Sequence, residues 1–132
     1  MQDDTRRAIV GRLSDYDRVV EIGIGRRVTV ARAPAAAGVA VTVTDIRERE
    51  VPAGVRFVCD DVTDPTPAVY EGAEALYALN LPPELHRPTA DLAAAVGADL
   101  FFTTLGGDQP TVPVTRETIP GETLFRVGLS ER

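Results

Sequence analysis

The stretch RVVEIGIGRRVTV, Arg18 to Val30, carries an apolar run, an acid (Glu21), two glycines one residue apart (Gly23 and Gly25) and an arginine pair. A glycine turn between a strand and a helix lets a ligand approach the backbone closely, and the free N–H groups of the helix start suit an anion. Twenty residues after Gly25 stands Asp45, at the end of the next apolar run, VAVTVT. A carboxylate there can accept both hydroxyls of a ribose. Turn and acid together point to a ribose-bearing ligand.

The flanking residues narrow the choice. A dinucleotide turn of the form G-x-G-x-x-G needs Gly or Ala where this chain has Val28. Glu21, two residues before the first glycine, would repel a pyrophosphate but can hold an ammonium, directly or through water. Ribose, ammonium and carboxylate meet in S-adenosylmethionine, which is the expected cofactor. A small NAD(P)-binding protein is the alternative that Glu21 and Val28 count against.

These residues must sit on elements that bring them to one edge. Helical or strand patterning predicts a helix over residues 3–13 capped by Asp3 or Asp4, a strand at 18–22, and a helix ended by Gly38 and kinked or shortened by Pro34. It then predicts strands at 39–45 and 54–61, a short link around 65–73, a strand at 75–79, a helix over 82–97 with Pro in its first turn, and a strand at 98–104. A loop-rich tail finishes in a strand at Thr123–Val127. Strands alternating with helices argue for a single α/β domain over residues 1–132. Its sheet is Rossmann-like, open and mostly parallel, of about six strands with helices on both faces. In such a sheet ligands lie beyond the carboxyl ends of the strands, at the point where the strand order reverses.

The motifs also resemble known families. VVEIGIG resembles the first motif of class I S-adenosylmethionine-dependent methyltransferases, an acid followed by G-x-G-x-G. The resemblance implies that Glu21, Gly23 and Gly25 lie along the methionine part and that Asp45 binds the ribose. FVCDDV resembles their third motif and places Asp61, rather than Asp60, near the adenine amine. Arg27 stands where the third glycine belongs; it either narrows the pocket or reaches the cofactor carboxylate. Across most of its length, through VVEIGIGRR, VTDIRER, VRFVCDDVTDP, YALNLPPEL and FFTTLGGD, the chain resembles uncharacterised protein family 0146, a set of small archaeal proteins with a methyltransferase-like fold.

Catalytic candidates are Asn80 and Glu84. Amine-modifying methyltransferases carry Asn or Asp, Pro, Pro, aromatic after the fourth strand; here Asn80 is followed by Leu81, Pro82, Pro83 and Glu84, so the register is shifted and the aromatic is missing. The sole histidine, His86, reads as a solvated residue near a helix start, and Cys59 as a small core residue. Asp60, Asp61 and Asp64 read as a capped turn rather than a metal site, and no metal is expected. Thr103–Asp108 reads as a turn that either clears space for a substrate or only reverses the chain.

Composition bounds the rest. The chain has 132 residues, 14 bases that are all arginine, and 20 acids, for a net charge of −6. That balance does not indicate nucleic acid as a partner. No run is apolar and long enough to span a membrane, the N-terminus lacks a signal-peptide core, and one cysteine fits a cytoplasmic location. The small size leads us to expect a homodimer or a partner protein that completes the substrate side. A non-catalytic subunit or ligand sensor that keeps the fold is the alternative to a transferase.

Overall fold

The computed structural model describes residues 1–23 and 29–128. In chain order the elements are α1 (Asp3–Leu13), β1 (Arg18–Glu21), α2 (Thr29–Ala36), β2 (Ala40–Asp45), β3 (Val55–Cys59), α3 (Pro67–Tyr70) and β4 (Ala75–Ala78). A 3₁₀ turn (Pro83–Leu85) leads into α4 (His86–Val96), followed by β5 (Asp99–Phe102), β6 (Thr115–Ile119) and β7 (Glu122–Val127). One seven-stranded sheet has the order β3-β2-β1-β4-β5-β7-β6. The pairs β1–β2, β2–β3, β1–β4 and β4–β5 are parallel, whereas β7 pairs antiparallel with both β5 and β6.

The two-residue period of a strand sorts its side chains onto two cores. Val20, Leu76, Leu100 and Phe102 face Tyr70, Leu92 and Ala93 of the α3 and α4 side. Val19, Val41, Val43, Tyr77 and Phe101 face Ile9, Leu13, Val30 and Ala31 of the α1 and α2 side. Glu21, two residues after Val19, therefore belongs to the α1 and α2 face. Helix α1 takes Gln2 as its N-cap residue, without a side-chain cap bond. Asp3 and Asp4 lie inside the first turn, where acids are favoured by the helix dipole, and Asp3 pairs with Arg6 at 2.7 Å.

The sheet exceeds the expected six strands by one. Residues 115–127 form a hairpin whose turn, Ile119–Glu122, has Pro120 followed by Gly121 at φ 72°. Proline then a left-handed glycine is the combination a type II turn demands. Gly121 also passes close to α1: a Cβ there would lie 3.0 Å from Thr5 Oγ1 and 3.1 Å from Gln2 Oε1. Thr5 in turn donates a hydrogen bond to the Pro120 carbonyl.

Two sequence readings are corrected. Cys59 is exposed at the end of β3, an edge strand, and its thiol donates to the Ile46 carbonyl at 3.3 Å. An apolar run on an edge strand keeps only alternate residues covered. His86 is not solvated: it is 0% exposed, at the first position of α4. Its Nε2 lies 2.9 Å from the Leu81 carbonyl, and its Nδ1 accepts the Thr111 N–H at 3.2 Å. Since Nδ1 is an acceptor, Nε2 carries the proton and donates to Leu81. The ring also packs on Phe102, 4.7 Å between centroids.

His86 thus ties the segment after β4 to the loop before β6. Truncating it would leave a buried carbonyl and a buried N–H without their partner and would remove a ring from the core. We expect His86→Ala to lower stability by about 3 kcal/mol, read as a fall in the urea midpoint with unchanged slope. An unchanged midpoint would contradict this clamp.

Candidate functional site

The sheet opens where its strand order reverses, between β1 and β4. Their pairing ends at Glu21 opposite Tyr77, with the Ile22 N–H donating to the Tyr77 carbonyl at 2.8 Å. Past that point β4 turns towards β5: the Asn80 N–H donates to Thr103 Oγ1 at 2.9 Å and the Leu81 N–H to the Thr103 carbonyl at 2.8 Å. Asn80 makes that departure in the left-handed region, at φ 55°, which asparagine tolerates better than most residues. Chain β1 leaves in the other direction through Gly23, at φ 67°. The two divergent exits leave a crevice, as the topology of an open parallel sheet requires.

A cavity of about 320 Å³ occupies this edge. Its walls include Gly23, Asp45, Asp61 and Asn80, with Ile46 and Leu81 among the apolar ones. A larger hollow of about 780 Å³ lies elsewhere, between the segment around α3 and the outer face of α4. It lacks the strand-end acids, so the smaller cavity is the better candidate for a polar, ribose-bearing ligand.

Glu21 is 2% exposed. Thr44 Oγ1 donates to its backbone carbonyl at 3.0 Å and fixes the strand end. The Tyr77 hydroxyl lies on the same face of the adjacent strand. Burial first, then the Glu21 carboxylate and a hydrogen bond with it, hold that hydroxyl protonated far above its ordinary value. Tyr77 is therefore a standing hydrogen-bond donor beside Glu21.

Asp45 is buried, 7% exposed, where the sequence reading has an exposed acid. Its Oδ1 accepts the Arg47 N–H at 3.0 Å, and Oδ2 lies 3.6 Å from Arg49 Nε. The acid closes its own turn while keeping a face on the cavity. The following Ile46 is 68% exposed and supplies an apolar wall. Asp61 is exposed; Oδ1 accepts both the N–H (2.9 Å) and the hydroxyl (2.7 Å) of Thr63, which lower its pKa. Neighbouring Asp60 turns the other way, accepting the Tyr70 hydroxyl at 2.5 Å and the Thr66 N–H at 3.2 Å. Burial, and then this bond to Asp60, raise the Tyr70 hydroxyl well above its ordinary pKa. The capped turn over 60–66 is thus real, and it presents Asp61 rather than Asp60 freely to the cavity edge.

The structure brings Gly23, Asp45, Asp61 and Asn80 together around one cavity, with Glu21 buried at the strand end beside Gly23. It does not bring in Glu84, which is exposed on the 3₁₀ turn and does not line the cavity. Gly25 and Arg27 lie outside the described residues. Residues 103–108 close on themselves through Thr104 Oγ1 to the Asp108 carbonyl (2.9 Å) and Asp108 N–H to the Leu105 carbonyl (3.2 Å). Sequence reasoning missed Tyr77 and Thr44; the strand register opposite Glu21 was the signal for both. Among the described residues no group of three His, Cys, Asp or Glu could hold a metal, and no helix is long and apolar enough to cross a membrane.

Comparison with known proteins agrees with this architecture. In sequence the chain is similar to a UPF0146 protein of Halobacterium salinarum, 56% identical over 114 residues, covering 86% of this chain and 88% of the relative. It is also similar to one from Archaeoglobus fulgidus, 46% identical over 91 residues, covering 69% and 70%. In structure it resembles an RNA methyltransferase from Salinibacter ruber in complex with S-adenosyl-L-homocysteine, with TM-score 0.64 and 16% identity, covering 91% of this chain and 89% of the other. Magnesium protoporphyrin IX methyltransferase from Synechocystis with bound S-adenosylmethionine gives TM-score 0.64 at 14% identity, covering 92% and 76%. A protein described as a zinc-dependent alcohol dehydrogenase, from Rhodobacter sphaeroides, gives TM-score 0.59 at 14% identity, covering 82% and 48%. At such identities the likeness shows the fold, Rossmann-like and methyltransferase-like, and the choice of cofactor rests on the residues. The model of the Uncharacterised protein family (UPF0146) matches residues 4–127, and the chain, with its archaeal relatives, belongs to that family.

Proposed function

We propose that this chain binds S-adenosylmethionine at the β1–β2–β4 edge and is a methyltransferase-type protein. The observation that carries the reading is the acid at the end of β1, buried beside a left-handed glycine and flanked by a second acid at the end of β2. A pyrophosphate would be repelled by Glu21, whereas an ammonium would be attracted to it. The residues fit the cofactor in size and chemistry. A cavity of about 320 Å³ is at the small end of the range for ligand sites, roughly 300–1,000 Å³. Asp45 would take the ribose hydroxyls in competition with Arg49 for Oδ2, Asp61 Oδ2 would face the adenine amine, and Ile46, Leu81 and Leu85 would cover the base. The cofactor carboxylate falls to Arg27 in this reading.

When bound, the cofactor supplies an electrophilic methyl group on a sulfonium. The chain's own part is to hold and align, since methyl transfer needs an aligned nucleophile more than an acid–base pair. Tyr77 keeps the Glu21 carboxylate oriented, and the Thr103 bonds hold Asn80 at the mouth of the cavity.

S-adenosylmethionine or S-adenosylhomocysteine should therefore raise the melting temperature more than NAD or NADP at equal concentration. Calorimetric titration should show Asp45→Ala weakening both S-adenosylmethionine and adenosine by about 2–4 kcal/mol, two hydrogen bonds to a charged group. Glu21→Gln should weaken the ammonium-bearing ligand alone. Because Asp45 is buried and bonded, its variant must be titrated well below its own melting point. A larger thermal shift with NAD, or Asp45→Ala binding like the parent, would refute the assignment.

The reading also has a second copy or a partner protein completing the substrate side, since 132 residues leave little surface for recognition beyond the sheet and its helices. Light scattering on the purified protein should give a dimer or a hetero-complex. A strict monomer that methylates a defined acceptor unaided would contradict it.

A further inference from the structure

A second hollow, about 490 Å³, lies on the far side of Asn80 from the cofactor cavity. It is walled by Met1, Gln2, Thr5, Asn80, Gly121 and Glu122. Asn80 is the one residue common to the linings of the two cavities. The hollow owes its existence to the hairpin reaching α1 at the Pro120–Gly121 turn, an approach that only glycine at 121 permits. It is thus built by the two ends of the chain meeting at the same sheet edge as the cofactor cavity.

Its polar chemistry is one-sided. Thr5 spends its hydroxyl on the Pro120 carbonyl. The Glu122 carboxylate accepts the Thr123 N–H through Oε1 at 3.3 Å, while Oε2 has no hydrogen bond among the described residues. The Gln2 carboxamide makes no cap bond. The described lining therefore offers one carboxylate and two carboxamides and no side-chain cation. Such a lining attracts a hydrogen-bond donor carrying positive charge and repels phosphate or carboxylate.

We infer that this hollow is the acceptor subsite, that its acceptor is a small amine bound first as an ammonium, and that Glu122 is the specificity-determining residue. The inference rests on the cofactor reading above. The ammonium loses its proton to water through the open hollow. The nitrogen lone pair then forms the new N–C bond, while the methyl–sulfur bond breaks and leaves its electron pair on sulfur.

The test uses the full chain and binding alone. Two probes are S-adenosylhomocysteine analogues with nitrogen in place of sulfur, one bearing an aminohexyl arm and the other a plain hexyl arm. By calorimetric titration the amine arm should bind at least tenfold more tightly than the hexyl arm. Glu122→Gln should abolish that difference and leave S-adenosylhomocysteine affinity unchanged. If S-adenosylhomocysteine binds but the two arms bind equally, or if their difference survives Glu122→Gln, the acceptor assignment is wrong and the cofactor reading stands. If neither the probes nor S-adenosylhomocysteine bind, the cofactor reading fails and takes this inference with it.

Discussion

Glu21 carries its carboxylate at 2% exposure at the end of β1, inside a seven-stranded sheet. Moving a carboxylate out of water costs several kcal/mol unless its surroundings compensate. The surroundings here are arranged to do so. Tyr77 brings a protonated hydroxyl to it from the neighbouring strand, and Thr44 fixes its backbone from the other side. A buried acid at a strand end, kept in place by both neighbours, is a feature of binding sites more than of cores. The rest of the ligand edge follows from where that acid is held.

The divergence of β1 and β4 is what gives the acid something to face. Gly23 takes one chain out through a left-handed turn and Asn80 takes the other. Each exit is then secured by groups far along the sequence: Thr103 grips Asn80 and Leu81, and His86 grips Leu81 and Thr111. The crevice is therefore held open by the packing of β5, α4 and the loop before β6. It does not depend on the flexible residues of its own rim. This separates the stability of the site from its binding chemistry, so a substitution at His86 and one at Glu21 act through different terms.

Much of this was legible in the sequence. Apolar runs alternating with helical segments were enough to give the parallel sheet, and the spacing of Glu21, Gly23 and Asp45 was enough to place the ligand edge. The misses share a cause. The hairpin of β6 and β7 hides because TRETI is polar on one face and its turn, Pro120–Gly121, reads equally as loop. His86 looks solvated because its partners, Leu81 and Thr111, lie 5 and 25 residues away. Asp45 looks exposed because acids at strand ends usually are, and its burial depends on Arg47 and Arg49 folding back over it. Cys59 looks buried because the apolar run containing it does not reveal that β3 is an edge strand. Local patterning gives periodicity and turns; contacts between distant segments have no local signature.

The central claim is that the acids at the ends of β1 and β2 receive one ligand from two sides. A crystal structure with S-adenosylhomocysteine tests it most directly. The account predicts ribose hydroxyls within hydrogen-bond distance of Asp45, with the ligand's ammonium within reach of Glu21. Ligand seated in the groove between α3 and α4, or an empty β1–β2–β4 crevice at saturating ligand, would contradict it.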